Sequence, residues 1–218
     1  MTHMIKAILF DNDGILVDTE HMFFEVTQKT FALSGAVLTR QQWARWYLGE
    51  GKGSKQIAEY LGIPAGLREE TMRKRDDEFR DRMAAGVPTL KGVHEVLKSL
   101  CQQFRLAVVT GASRHHFEIA HSSTALTGYF ETVITSEDYQ EPKPSPQAYM
   151  TALKKLDLYP HECIAVEDSP RGARAAVSAA IRCVLVPTSL TDITLCPDGC
   201  ITIRDLTYLP KLMTRLES

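Results

Sequence analysis

The chain has 218 residues, enough for a substantial buried core and one or two domains. Its 44% apolar and 24% charged residues are the make-up of a globular protein, and a formal net charge of −2 offers no basic footprint for nucleic acid or a membrane surface. No apolar run approaches the roughly 18 residues of a membrane span. The first such run is short and stops at Asp11, so it does not read as a secretory leader.

In chain order, "IKAILF" (5–10) is an unbroken apolar run, the pattern of a strand covered on both faces. "DNDGILVDTE" follows, with Asp11, Asp13, Asp18 and Glu20 inside ten positions. From there to about Gly86 no segment reads as a strand. "EHMFFEVTQKTFALSG" has helical apolar spacing, and Thr39 and Ser54 are placed to cap "RQQWARWYLG" and "KQIAEYLG". Residues 67–83 predict a helix with a solvated face, because Met72, Phe79 and Met83 form only a narrow stripe. Glu69–Arg73, Glu70–Lys74, Asp76–Arg80 and Glu78–Arg82 are spaced as ion pairs one turn apart. "GEGKGS" (49–54) lacks the spacing of a phosphate loop and follows no strand. It reads as a turn facing the main site, with Lys52 as a candidate substrate contact, and Trp43 and Trp46 read as the core of this helical region.

Four more strands are expected, at "RLAVVT" (105–110), "ETVIT" (131–135), "CIAVE" (163–167) and "RCVLV" (182–186). Helical segments "RHHFEIAHSSTAL", "SPQAYMTALKKLDL" and "PRGARAAVSAA" separate them, the last capped by Ser169 with Pro170 in its first turn. Strands alternating with helices indicate a parallel sheet. The expected fold class is therefore α/β: a Rossmann-like parallel sheet with helices on both faces, plus a small all-helical cap. The core takes residues 1–17 and 87–218, and the cap is inserted at 18–86. Of the five cysteines, Cys163 and Cys183 lie in apolar runs as buried thiols, which suits a reducing, cytoplasmic setting. Cys196 and Cys200 flank a Pro-Asp-Gly turn without the further ligands of a zinc site.

Polar residues fall where the strands end. Asp11 follows the first, Thr110 the second, Lys143 lies beyond the third, and Glu167 and Asp168 close the fourth. Ligands of open parallel sheets bind at such carboxyl ends where strand order reverses, so the first strand is expected to be central, flanked by the second and fourth. Asp11, Glu167 and Asp168 converging on one point repel unless a cation sits among them, and oxygen-only ligands suit Mg²⁺. Two unit charges about 4 Å apart interact by roughly 4 kcal/mol at an effective dielectric near 20. Mg²⁺ and Lys143 can cancel that repulsion between a carboxylate and a phosphate. The Thr110 hydroxyl and the backbone near Gly111 can donate to phosphoryl oxygens. The pair Asp11 and Asp13 can divide the work, one as nucleophile and one as general acid.

"FDNDGILVD", "VVTGAS", "EPKPSP" and "VEDSPRGARAA" resemble, in order, the four motifs of the haloacid dehalogenase superfamily, and the insert resembles its helical cap of the first type. The resemblance implies that Asp11 forms an aspartyl-phosphate and that Asp13 protonates the leaving oxygen and then activates water. It also implies that Asp11, the Asp13 backbone carbonyl and Asp168 hold Mg²⁺, with Glu167 as a direct or outer ligand. Asn12 takes a variable position with no catalytic role. Within the superfamily the chain is similar to the group of phosphoglycolate phosphatases, small sugar-phosphate phosphatases and β-phosphoglucomutase. Glu20, in "LVDTE", is a candidate substrate contact. The mutases carry a histidine four residues after the position of Thr19. Here that residue is Phe23, with His21 two residues off, which favours a phosphatase. The second aspartate also separates this chain from the original dehalogenases.

The implied partner is a small phosphorylated metabolite, acted on by a monomer or weak dimer. A receiver domain uses similar groups, but its phosphorylated aspartate would follow the third strand and it would lack a cap. A silent phospho-ligand binder is the other alternative, and the intact Asp11 and Asp13 argue against it.

Overall fold

The computed structural model describes residues 4–217; residues 1–3 and 218, the outer ends of the expected core segments, lie outside it. Six parallel strands, β1 (Ala7–Phe10), β2 (Arg105–Val109), β3 (Thr132–Ile134), β4 (Cys163–Glu167), β5 (Arg182–Leu185) and β6 (Ile201–Thr202), form one sheet in the order β3-β2-β1-β4-β5-β6. The first strand is central and the order reverses between β1 and β4, as the polar strand ends imply. The sixth strand was not expected, because two residues carry no periodicity. The helices are α1 (Thr19–Leu33), α2 (Arg40–Gln42), α3 (Ser54–Tyr60), α4 (Ala65–Ala84), α5 (Val93–Leu100), α6 (Arg114–His121), α7 (Gln147–Leu156), α8 (Pro170–Ser178) and α9 (Leu209–Glu217).

Strand side chains alternate between two apolar layers. Ile8, Phe10, Leu106 and Val108 pack with α5, α6 and α9, through Leu97, Phe117 and Met213. Ala7, Leu9, Ala107 and Ala165 face α7 and α8, through Ala152, Ala173 and Ala176. The alanines on both sides of this second layer let α8 lie close to the sheet. Ser169 caps α8 by accepting from the Gly172 N–H at 3.2 Å, with Pro170 in the first turn.

Helices α1 to α4 form the cap, around Phe24, Phe31, Trp43, Leu48 and Ile57. Thr39 caps α2 through a reciprocal box with Gln42, and the same helix continues as a π-helical turn over Trp43–Gly49. Ser54 is not a cap: α3 starts at Ser54, and Gly53 precedes it without a side-chain bond. The two chain crossings between core and cap run side by side, with Asp18 N–H donating to Pro88 O at 3.0 Å and Leu90 N–H to Leu16 O at 3.1 Å.

The expectation of a purely solvated face on α4 is corrected. Thr71, Arg75 and Met83 are buried, and Arg75, Asp76, Phe79 and Arg80 line a cavity between cap and core. Glu70–Lys74 (2.8 Å) and Glu78–Arg82 (3.2 Å) form as spaced. Asp76 instead takes Arg75, and Asp77 takes Arg80 at 3.2 Å.

Candidate active site

Sheet hydrogen bonds set the origin of each loop. Asp11 N–H donates to Val166 O and Thr110 N–H to Ile134 O, both at 2.9 Å, so the loops after β1 and β2 leave the sheet side by side. The loop after β1 then folds on Asn12, whose carbonyl accepts from Leu16 N–H at 2.8 Å. The Asn12 side chain is buried and its Oδ1 lies 2.7 Å from Nε2 of His121, whose Nδ1 is 2.8 Å from the Thr124 hydroxyl. Asn12 thus anchors the loop, a role its variable position in the motif had hidden. Gly14 has φ +79°, and a Cβ there would run into the Asp168 carboxylate. Gly172 likewise leaves room for the carboxylate of Glu167.

Asp11, Glu167 and Asp168 are buried, with one oxygen from each within 4.8 Å of the others. The Lys143 ammonium donates to Asp11 Oδ1 (3.0 Å), Glu167 Oε1 (2.6 Å) and the carbonyl of Val109 (2.8 Å). Tyr149 O–H donates to the same Glu167 oxygen at 2.7 Å. Burial pushes the Asp11 carboxyl up, against the pull of Lys143, and burial raises Glu167 to about 7 and Asp168 well above the carboxylate range. Burial opposes the charge on Lys143, yet Asp11 and Glu167 outweigh it and hold the ammonium above its ordinary value.

One ammonium among three buried carboxylates leaves an excess of negative charge. Glu167 Oε2 and Asp168 Oδ2 are buried with no hydrogen-bond partner, although such atoms are ordinarily satisfied. Two orphaned carboxylate oxygens on residues clustered with Asp11, without a soft donor, fit a hard divalent cation such as Mg²⁺. The Asp13 side chain is not part of that cluster. It accepts from the Thr19 hydroxyl and, at 3.1 Å, from the Thr110 hydroxyl. Thr110 Oγ1 in turn accepts from Ala112 N–H at 3.0 Å, so the hydroxyl expected at the phosphate is committed to Asp13 here.

The cavity above these groups has a volume of about 510 Å³. Asp11, Asp13, Lys143, Asp168 and Gly111 reach it from the core, and Glu20 and Tyr47 from the cap. Glu20 accepts from the Trp43 indole N–H at 2.8 Å, and burial raises its carboxyl to about 7 against the opposing field of Arg171. Lys52 does not line the cavity. Its ammonium pairs with Glu50 and lies 4.6 Å from the Tyr60 ring centre. His116 reaches the cavity; His21 is held between Asp18 (2.8 Å) and Ser189 (2.7 Å) instead. The residues missed from sequence are Tyr149, Arg171, Arg75, Thr19 and His121. Tyr149 and His121 stand in helices that read as ordinary amphipathic segments, where only the fold shows what they meet.

These features agree with the known proteins the chain is similar to. Residues 8–186 match the family model described as haloacid dehalogenase-like hydrolase, and the chain belongs to that family. Validoxylamine A 7'-phosphate phosphatase of Streptomyces hygroscopicus subsp. limoneus is 31% identical over 208 residues, covering 94% of this chain and 95% of its own. Protein CbbY of Cereibacter sphaeroides is 33% identical over 199 residues, covering 84% and 85%. Crystal structures of CbbY from Rhodobacter sphaeroides, one with phosphate and one of a mutant with xylulose-(1,5)bisphosphate, superpose with a TM-score of 0.77 at 30% identity, covering 94% of this chain and 96% of theirs.

Proposed function

We propose that this phosphoric monoester hydrolase removes the phosphoryl group of a small phosphorylated metabolite, of the sugar-phosphate or phosphoglycolate type, with Mg²⁺ and through an aspartyl-phosphate on Asp11. The observation that carries the reading is the Asp11 carboxylate, which lines the cavity and belongs to a cluster of three buried carboxylates, two of whose oxygens have no hydrogen-bond partner.

An Asp11 oxygen attacks phosphorus as the bond to the leaving oxygen breaks, and Asp13 gives that oxygen its proton. Asp13 then takes a proton from water; the resulting hydroxide attacks the aspartyl-phosphate, the bond to Asp11 breaks, and inorganic phosphate departs. Thr19 and Thr110 hold the Asp13 carboxyl in position for both transfers. Lys143 offsets the charge of Asp11 and Glu167, and the backbone at Gly111 faces the phosphoryl oxygens. Asp11, Glu167, Asp168 and the Asp13 carbonyl would hold Mg²⁺, which supplies charge neutralisation at the phosphoryl group.

Phe23 lines the cavity where a mutase would carry its histidine, and His21 is engaged elsewhere, which favours hydrolysis over phosphoryl relay. A relative named validoxylamine A 7'-phosphate phosphatase and a CbbY mutant crystallised with xylulose-(1,5)bisphosphate support the substrate class. The core is assigned to 1–17 and 87–218 and the cap to 18–86. The five cysteines are free thiols, in keeping with a cytoplasmic setting. None of the described helices is long and apolar enough to cross a membrane. A screen for phosphate release over phosphorylated metabolites, in Mg²⁺ and in EDTA, tests the reading. Release that EDTA abolishes supports it, and release indifferent to EDTA contradicts the metal assignment.

A further inference from the structure

Three guanidinium groups line the cavity, and two are answered by neighbours on their own helix: Arg75 by Asp76 at 3.0 Å and Arg80 by Asp77 at 3.2 Å. The third, Arg171, comes from the first turn of α8 in the core. Among the described residues it makes no ion pair; it meets Tyr47 of the cap, whose ring centre is 4.4 Å from the guanidinium carbon, and it feels the field of Glu20 at longer range. Tyr47 stacks on Trp43 at 4.0 Å and 16°, and Trp43 is buried and bonded to Glu20. A cap aromatic pair thus fixes a core guanidinium in a cavity it shares with Asp11 and Asp168.

A cation held away from bulk water is costly unless an anion answers it. The carboxylates on the cavity floor are engaged by Lys143 or left facing the cation they fit. Glu20 is hydrogen-bonded by Trp43 and lends Arg171 a favourable field, but it forms no ion pair with it. The transferred phosphoryl group already has Lys143 and the Gly111 backbone. We infer that Arg171 is a specificity-determining residue that binds an oxyanion, a carboxylate or a second phosphate, on the leaving group. The inference rests on the phosphatase reading. It goes beyond the four motifs, because Arg171 stands beside the acidic pair and comes from the core, whereas the sequence pointed to Lys52 in the cap. Its planar fork suits two-point contact with either oxyanion. Because Tyr47 packs on it, the cap must be seated for the fork to be aimed, which couples leaving-group recognition to cap position.

The test compares kcat/KM within two matched pairs: phosphoglycolate against hydroxyethyl phosphate, and a pentose bisphosphate against the corresponding pentose monophosphate. Wild type should prefer the anionic member of at least one pair, and that pair identifies carboxylate or phosphate as the group read. Arg171→Met should reduce the preference about tenfold or more, chiefly through KM, as expected for one lost charge-assisted contact. Arg171→Lys should fall between them. Inhibition by inorganic phosphate reports that the variant sites are intact, and Arg171→Gln replaces the Met variant should the latter not fold. No preference in wild type, or a preference unchanged in the variants, overturns the inference. An equal loss for both members of each pair also overturns it, by placing Arg171 on the transferred phosphoryl group. A wild type that releases phosphate from none of the four overturns the phosphatase reading itself, and this inference with it.

Discussion

On the core wall of the cavity, Lys143 ties Asp11 to Glu167 through buried bonds of 3.0 and 2.6 Å, and Tyr149 closes the same network at 2.7 Å. On the cap wall, Arg80 pairs with Asp77 at 3.2 Å with about half of each side chain exposed, and outside the cavity Lys52 of the cap folds back on Glu50. Ion pairs in the first setting are costly to break, because a remaining partner is stranded without water. Pairs in the second exchange with solvent at little cost. The difference suits a division in which the buried core network handles the group every substrate shares, while the part that varies meets the cap face together with Arg171, the core guanidinium that Tyr47 of the cap covers.

Breaking the buried network should give the largest effect. Lys143→Met should cost about 3 kcal/mol or more in EDTA, read by urea denaturation, because it leaves Asp11 and Glu167 uncompensated. Added Mg²⁺ should recover part of that loss, and turnover should fall for all substrates by a common factor. If the loss is selective for one substrate, the two walls are not divided as described.

Tyr149→Phe removes one donor to Glu167 and keeps the other, so the expected loss is smaller, about 1.5 kcal/mol. The same denaturation assay checks it. No loss would mean that Lys143 alone satisfies Glu167.

His121 provides a pH test of the loop that carries Asp11. Burial lowers its folded pKa to about 4, below the ordinary value of 6.5. The unfolded chain therefore takes up a proton at a pH where the folded chain does not. The contribution to stability is complete above pH 6.5 and is lost as pH falls toward 4. His121→Gln should flatten that part of the stability profile; an unchanged slope would exclude His121 as its source.

Lys52→Ala should do least, changing stability by no more than about 0.5 kcal/mol and leaving substrate ratios as they are. A changed ratio would mean that Lys52 reaches the cavity in another cap position, and would restore the role its glycine-rich loop suggested.

How much of this was legible in the sequence follows the same division. Continuous apolar runs mark β1 to β5 because strands buried on both faces have few alternatives, and a polar residue closing such a run stands at the sheet's carboxyl end. That was enough to bring Asp11, Thr110, Lys143, Glu167 and Asp168 to one end of the sheet. The cap was legible as helices but not as a surface. Arg75 sits in a charged run where spacing cannot tell a solvated face from one covered by another domain. Arg171 follows the acidic pair, and nothing in the sequence shows that a tyrosine more than a hundred positions earlier lies across its face. Asn12 and His121 escaped for a related reason: a buried polar bond between distant residues leaves no periodic trace.

The central claim is that Asp11 carries the phosphoryl group, and covalent trapping tests it most directly. Wild-type protein mixed with Mg²⁺ and a turned-over substrate, then quenched in acid and digested, should yield the peptide containing Asp11 with the added mass of one phosphoryl group. The Asp11→Asn variant should be folded, inactive and unlabelled. Label on another residue, or turnover retained by folded Asp11→Asn that has not reverted by deamidation, would contradict the account.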